Sequence, residues 1–394
     1  MSVNEVVIVA GARTPIGKFG GGLRESNAVT IGGHAMAAAI ERAGVDPERV
    51  DETIVGHARQ AGNGPNSGRL MAMAAGLPDH VPAQTIQQAC VSSLKALILA
   101  CQSIRLGDSE LVVVGGSEHM SSIPFYLNDM RWGRRMGDST TVDALSKDGF
   151  RDPLTGCHMG ELADAWSSRY DISREDQDRY AERSQQRAAV ASEDGFAEAT
   201  IAPIEVPRGR KSVTVTADEH MRPQTTMDDL AKLSPAFVKD GSVTAGNASG
   251  ITDGAVGLVV ASAEAAQRWG LEPLAYVRSY AVRATKPADY GLAVAPASDA
   301  ALKGAGVGYD DLDAIEINEA FAIQVLAACK EMNIDPQRVN KHGGAIALGH
   351  PVGSSGARVA YYAAEELRAS GGSRALATIC GNGGQAGSVV LERV

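Results

Sequence analysis

Four residues in this chain are of types that carry proton and acyl transfer, and each stands where a regular pattern breaks. Cys90 follows "TIQQA", a short run with strand character, and precedes Ser92 and Ser93 at the head of an apolar helical stretch. A thiol placed there faces the unpaired N–H groups of a helix start and the positive end of its dipole, which favour the thiolate. His350 lies between Gly349 and Pro351 in "HGGAIALGHPVGSSGAR", a turn built from residues with almost no side chain. Backbone, substrate or cofactor must therefore come close to it. A neutral imidazole in that position is able to take a proton from a thiol. Cys380 ends "ALATIC" and opens into "GNGG", and such strand ends are where α/β folds bind ligands. In "EINEAFA", Asn318 is placed to orient a water or donate a hydrogen bond while Glu319 braces the loop. Each residue also has a plainer reading: a packed thiol for either cysteine, a satisfied core histidine for His350, a helix cap for Asn318.

Two distant stretches position these residues on one plan. In "CVSSLKALILACQSIRLGDSELVVVGGSE", small polar residues open a helix of about 14 residues that ends near Gly107, and an apolar strand then runs into Gly115 and Gly116. In "GSSGARVAYYAAEELRASGGSRALATICGNGG", small residues again open a helix, Gly371 and Gly372 end it, and a strand runs into glycines. The repetition points to an internal duplication. The first helix carries Leu94, Ala96, Leu97, Ile98, Leu99 and Ala100, so it is apolar on most sides and must be buried all round. Short apolar strands after each helix predict mixed or parallel sheets covered by helices, an α/β layered sandwich of two halves. Between about 122 and 249 the chain turns polar and loop-rich, with Arg131, Arg134, Arg135, Arg208, Arg210, Lys211 and Arg222 in clusters. It reads as an insertion, giving an N-terminal half over 1–121 plus 250–271, an inserted loop domain over 122–249, and a C-terminal half over 272–394.

Composition excludes several classes. A chain of 394 residues is long enough for two or three domains. Its net charge of −10 opposes a general nucleic-acid or membrane-surface binder, so an anionic ligand must be met locally. The opening "MSVNEVVIVAGARTP" has no evident secretory leader and no run of about 18 apolar residues follows, so a cytoplasmic location is expected. Five cysteines at irregular spacing, with no Cys-x-x-Cys pair, form neither a disulfide framework nor a zinc site. "GARTPIGKFG" misses the P-loop spacing, and "GNGPNSG" is one residue too long for the dinucleotide fingerprint and reads as a surface loop.

"QQACVSSLKA", "GGSEHMS", "CHMG", "SREDQDRYAERSQQRA", "GSVTAGNASGITDGA", "EINEAFA", "GGAIALGHPVGSSGAR" and "CGNGG" together resemble the successive motifs of the thiolases, in the thiolase order and over essentially the whole chain. The resemblance implies an αβαβα sandwich of two similar halves with an inserted loop domain, assembled as a homodimer or homotetramer. It implies no permanently bound cofactor, with coenzyme A and acyl-CoAs as substrates. Cys90 would carry the acyl group as a thioester, His350 would deprotonate it, and Cys380 would act as acid or base on the α-carbon. Asn318 would hold a water that stabilises one oxyanion or enolate with His350, and the backbone N–H groups of Cys90 and Asn382 would form a second oxyanion hole. Ser249 would meet the pantetheine arm, with Ala245 also against coenzyme A and Arg222 against its nucleotide. His158, Met159, Phe237 and Phe321 would line the acyl pocket.

The chain departs from the family pattern at several positions. It has Cys90-Val91-Ser92-Ser93 where thiolases commonly have Cys-Gly-Ser-Gly, and His342 where Asn is usual. Asn382 replaces a Gly, and Asn tolerates the left-handed backbone that Gly provides. Gln385 and "MRPQTTMDDLAKLSPAF" look like the thiolase subunits of long-chain β-oxidation complexes, whereas "NEAFA" and "HMG" look like acetoacetyl-CoA enzymes. The expected activity is reversible condensation or thiolysis of 3-ketoacyl-CoA through an acyl-Cys90 intermediate, on short to medium chains. The competing readings are a longer-chain thiolase of a β-oxidation complex, a decarboxylating ketoacyl synthase, against which "CGNGG" speaks, and a non-catalytic scaffold, which need not keep all four residues.

Overall fold

The computed structural model describes residues 4–394. The first half lays down β1 (Val6–Arg13), α1 (Ala28–Ala43), β2 (Glu52–Gly56), α2 (Ser67–Ala74), β3 (Ala83–Ile86), α3 (Ser92–Leu106) and β4 (Leu111–His119). The inserted region contributes α4 (Met159–Tyr170) and α5 (Arg174–Glu193), after which β5 (Thr252–Ser262) returns to the sheet. The second half follows with β6 (Ala275–Ala284), α6 (Val294–Ala305), β7 (Ala314–Ile317), α7 (Ala322–Met332), α8 (Val352–Ser370), β8 (Arg374–Gly381) and β9 (Gln385–Arg393).

The ten-stranded sheet runs in the order β7-β8-β9-β6-β1-β5-β4-β2-β3, with Gly17–Lys18 pairing β5 beside this path. The duplication is explicit in the pairing. In the first half β2 and β4 are parallel, β4 and β5 antiparallel, and β5 and β1 antiparallel. The second half repeats this as β7 parallel to β8, then β8–β9 and β9–β6 antiparallel. The halves join through β1 and β6 at Val7↔Tyr276 and Ile8↔Ala275.

Strand alternation explains the layers, since successive side chains leave a sheet on opposite faces. Ile8, Val112, Val114, Val256 and Leu258 of the first half, and Ala375, Ala377, Ile379, Val389 and Leu391 of the second, all pack on α3 and α8. The opposite faces, Val7, Val113 and Val259 in one half and Leu376 and Val390 in the other, pack on outer helices: α1 and α2 for the first, α6 and α7 for the second. The central pair α3 and α8 is thus covered on both sides. Ala89–Leu106, the segment among the described residues that is long and apolar enough to cross a membrane, is essentially α3 and belongs to this core. Both central helices stop on a glycine in the left-handed region, Gly107 at φ 84° and Gly371 at φ 71°.

The small residues of "HPVGSSGAR" serve this central contact. A Cβ at Gly353 would stand 2.3 Å from the Ser117 carbonyl oxygen, and one at Gly356 would stand 2.5 Å from the Leu94 nitrogen. Of the backbone, substrate or cofactor that these small residues could admit, it is backbone of the other half that approaches Gly353 and Gly356.

Candidate active site

Cys90 is presented by a tight turn between β3 and α3. Ala89, just before it, has φ +46°, a left-handed conformation that costs a residue with a Cβ about 1 kcal/mol or more. The turn is held by Ser92, whose Oγ donates to the Ala89 carbonyl at 2.6 Å and accepts from the Gln88 N–H at 2.9 Å. Gly56 lets α3 dock this closely, since a Cβ there would fall 2.3 Å from the Ser93 nitrogen. The expectation of a thiolate at the helix start is corrected by burial, which pushes the Cys90 thiol up to about 11. The Arg59 charge and the backbone N–H groups of Cys90 and Asn382 oppose that shift without cancelling it. At neutral pH the resting group is a thiol.

His350 is held at both ring nitrogens. The Ser355 Oγ lies 3.0 Å from the Pro351 carbonyl and 2.7 Å from His350 Nδ1; with its proton directed to the carbonyl, it accepts from the Nδ1–H, the tautomer we assign. That tautomer leaves a lone pair on Nε2. Nε2 faces the Asn318 amide nitrogen at 3.4 Å, and the Asn318 Oδ1 is turned away by accepting from Arg358 Nη2 at 3.4 Å. Burial, with smaller contributions from Arg358 and Arg59, lowers the imidazole pKa to about 3. It is therefore a neutral base at physiological pH.

Cys380, near the end of β8, is 2% exposed, and burial followed by the nearby Cys90 pushes its thiol well up. A narrow cavity of about 70 Å³ is lined by Cys90, His350 and Cys380 together with Asn382, Ser249, His158, Met159 and Phe321. Phe150, Tyr290 and Arg59 also line it and were not singled out from sequence. Asn382 keeps its N–H toward the Cys90 sulfur without a left-handed backbone; Gly383 and Gly384 carry the positive φ instead, at 82° and 80°. Its side chain donates to the Gly149 carbonyl at 3.0 Å.

The remaining expected residues fall behind or beyond this cavity. Asn318 is fully buried behind His350. Phe237 supports the wall, stacked on His158 at 4.7 Å and edge-on to Phe321 at 5.9 Å. His158 caps α4, its Nδ1 accepting from the Gly160 N–H at 3.1 Å, and burial lowers its pKa. Arg222 and Ala245 line a separate cavity of about 120 Å³ with Gln185, His220 and Leu233. His220 packs on Gly250, next to Ser249, so the 249–250 backbone lies between the two cavities. Of the clustered basic residues, Arg134 pairs with Asp129, Arg208 donates to the Gly21 and Gly22 carbonyls, and Arg131, Arg135, Arg210 and Lys211 are exposed.

Glu319 is the brace that the sequence led one to expect, and its reach is long. Its carboxylate accepts from Tyr180 at 2.9 Å, Ser184 at 2.7 Å, Asn340 at 2.8 Å and the Ile346 N–H at 3.0 Å. One buried carboxylate thereby ties the Asn318 loop to α5 and to the loop that delivers His350. His342, unexplained by sequence, lies flat on Phe196 with centroids 3.5 Å apart and bonds Glu366 at 2.5 Å. It fixes the start of that loop and does not touch the cavity.

Residues 6–264 match the family described as thiolase, N-terminal domain, and residues 271–393 match thiolase, C-terminal domain. The chain belongs to the thiolase family. It is 44% identical to acetyl-CoA acetyltransferase of Cupriavidus necator over 99% of this chain and 100% of that protein. It is 41% identical to a probable acetyl-CoA acyltransferase of Staphylococcus aureus, with the same coverage. Among solved structures, the Bacillus anthracis acetyl-CoA acetyltransferase superposes with a TM-score of 0.97 at 41% identity over 100% of both chains. Human mitochondrial 3-ketoacyl-CoA thiolase superposes at 0.96 and 38% identity over 99% of both. The thiolase fold is thus shared along the full length.

Proposed function

We propose that this thiolase catalyses the reversible condensation and thiolysis of 3-ketoacyl-CoAs through an acyl-Cys90 intermediate, as an acetyl-CoA acetyltransferase. The observation that carries the reading is the meeting of two thiols and a neutral imidazole in one narrow cavity. In thiolysis the Cys90 sulfur attacks the 3-keto carbon as His350 Nε2 takes its proton. The developing oxyanion is met by the N–H groups of Cys90 and Asn382, donors of a kind worth about 3 to 4 kcal/mol each. The bond between the α- and β-carbons breaks, and the α-carbon takes a proton from Cys380. The raised thiol pKa of Cys380 keeps that proton in place until then. The imidazolium formed at His350, positioned from behind by the Asn318 amide, stabilises the enolate oxygen. Acetyl-CoA leaves, the Cys380 thiolate takes the proton of the incoming coenzyme A thiol, the resulting thiolate attacks the acyl carbonyl, and the Cys90 sulfur departs with the proton held on His350.

Two thiols are needed because acyl transfer and proton exchange occur at different carbons. Coenzyme A fits as substrate and not as resident cofactor, with its arm past Ser249 and its nucleotide toward Arg222 and Ala245. The narrow cavity at Cys90 favours a short acyl group there. We assign the catalytic halves to 1–121 plus 250–271 and 272–394, with 122–249 as the inserted substrate-binding part. We assign it a cytoplasmic location and a part in β-oxidation or its reverse; assembly as a homodimer or homotetramer is supported by the open edge of β3 just ahead of Cys90 and by exposed Phe125, Met130, Trp132 and Met136. Coenzyme A-dependent cleavage of acetoacetyl-CoA tests the assignment; purified, folded protein without that activity on any 3-ketoacyl-CoA would refute it.

A further inference from the structure

A buried cation stands behind the catalytic imidazole. Arg358, on α8, is 1% exposed, and its Nε and Nη1 find no hydrogen-bond partner among the described residues. Its one hydrogen bond there runs from Nη2 to Asn318 Oδ1 at 3.4 Å. The Tyr362 ring, one turn further along α8, lies against the guanidinium with its centroid 5.2 Å from Cζ. Packing alone is a poor reason for a cation in this place, since an apolar side chain of similar size would fill the space without the cost of desolvation.

Its position supplies a better one. Ser355 and Arg358 are three residues apart and share one face of α8. Ser355 holds His350 Nδ1, and Arg358 holds the amide that faces His350 Nε2 at 3.4 Å. A guanidinium donates and has no acceptor, so Asn318 turns its oxygen toward Arg358 and its NH2 toward His350. While His350 is neutral, that NH2 donates to the Nε2 lone pair. Once Nε2 has taken the proton of Cys90, two donors face each other, and a flipped amide would accept from Nε2–H through Oδ1. The flipped amide would draw off the proton that the enolate oxygen needs. It would also press the NH2 against the Arg358 cation, and this opposes the flip.

We propose that Arg358 is a positioning residue that locks the Asn318 amide, so that the His350 imidazolium donates to the enolate oxygen of the substrate and not to Asn318. The inference rests on the thiolase reading of the Cys90 cavity. It confines the effect of Arg358 to the step that makes or breaks the carbon–carbon bond, because acyl transfer between Cys90 and coenzyme A forms no enolate.

The test mixes excess protein with acetoacetyl-CoA or with acetyl-CoA, quenches in acid at intervals, and follows acetyl-Cys90 by peptide mass spectrometry. Both donors give the same adduct, the first by breaking a carbon–carbon bond and the second by breaking a carbon–sulfur bond. Arg358→Met should lower the rate from acetoacetyl-CoA relative to that from acetyl-CoA by about tenfold or more, the value of a hydrogen bond to a charged group. Arg358→Lys should retain part of the wild-type ratio, and in an Asn318→Ala background Arg358→Met should lower the ratio no further. The ratio is taken within one preparation, so any unfolded fraction cancels. Removing the cation strands no charge near pH 7, because burial, opposed by Arg358, pushes the Glu316 carboxyl up to about 8. Asn318→Asp, close to isosteric, checks the same point with Arg358 in place: it presents an oxygen to Nε2–H and should lower the ratio as far. A wild-type ratio in Arg358→Met or in Asn318→Asp overturns the proposal, as does a further tenfold fall on top of Asn318→Ala. If neither donor acetylates Cys90 in the wild type, the thiolase reading fails and takes this one with it.

Discussion

Ser355→Ala removes one oxygen that touches no substrate, and the structure says what should follow. The Ser355 Oγ is the acceptor that keeps the proton on His350 Nδ1 and the lone pair on Nε2. Without it, the Nδ1–H is buried with no partner, at a cost of about 1 to 3 kcal/mol. The other tautomer avoids that cost by moving the proton to Nε2, where it blocks the base. At about 1.4 kcal/mol per factor of ten, the competent tautomer falls by about 5- to 150-fold. Steady-state thiolysis of acetoacetyl-CoA should therefore show kcat reduced by about that factor. KM should change little, because Ser355 does not line the cavity, and the loss of stability in urea should not exceed that cost of about 1 to 3 kcal/mol. A kcat within twofold of wild type would show that Ser355 does not set the tautomer, and the assignment of Nε2 as the base would lose its support.

Three other outcomes follow from the same geometry. With the Cys90 thiol near 11, alkylation of Cys90 by iodoacetamide in the free protein should keep rising with pH through 9; a plateau near neutrality would mean a preformed thiolate. The folded His350 pKa, about 3, lies below the unfolded value near 6.5, so between those limits the unfolded chain binds a proton that the native state refuses. Stability should fall as pH drops from 6.5 toward 3, by up to about 1.4 kcal/mol per unit from this group, and His350→Asn should show a shallower slope in urea titrations. Glu319→Ala leaves four donors from three segments without their acceptor and should cost about 3 to 5 kcal/mol by urea unfolding. A loss under 1 kcal/mol would mean that the brace is dispensable.

The two helix-then-strand stretches were legible because each repeats local signals: small residues opening a helix, a glycine closing it, and an apolar strand ending in glycines. Those signals carried the duplicated plan and the burial of α3, whereas the meeting of Cys90, His350 and Cys380 was implied only by the resemblance to the thiolases. Burial at the site itself was not legible. "ACVSS" places a thiol at a helix start, which argues for a thiolate, but the desolvation that overrules this comes from residues hundreds of positions away. The glycines of "HPVGSSGAR" carry the same lesson, since their smallness fits a ligand or another backbone equally, and only the packing of α8 on α3 decides. Ser355 and Arg358 gave no signal because their partners, His350 and Asn318, are set by tertiary contact. Arg59 in "GHARQAGNG" looks like any surface arginine until its solvent exposure is known.

The central claim is that Cys90 carries the acyl group. Full-length protein is incubated with acetyl-CoA, quenched in acid, digested and mapped by peptide mass spectrometry. The expected result is one acetyl group on the peptide containing Cys90, discharged by added coenzyme A and missing from Cys90→Ser. Acetylation of Cys380 in place of Cys90, or no acetylated cysteine on folded protein, would contradict the account.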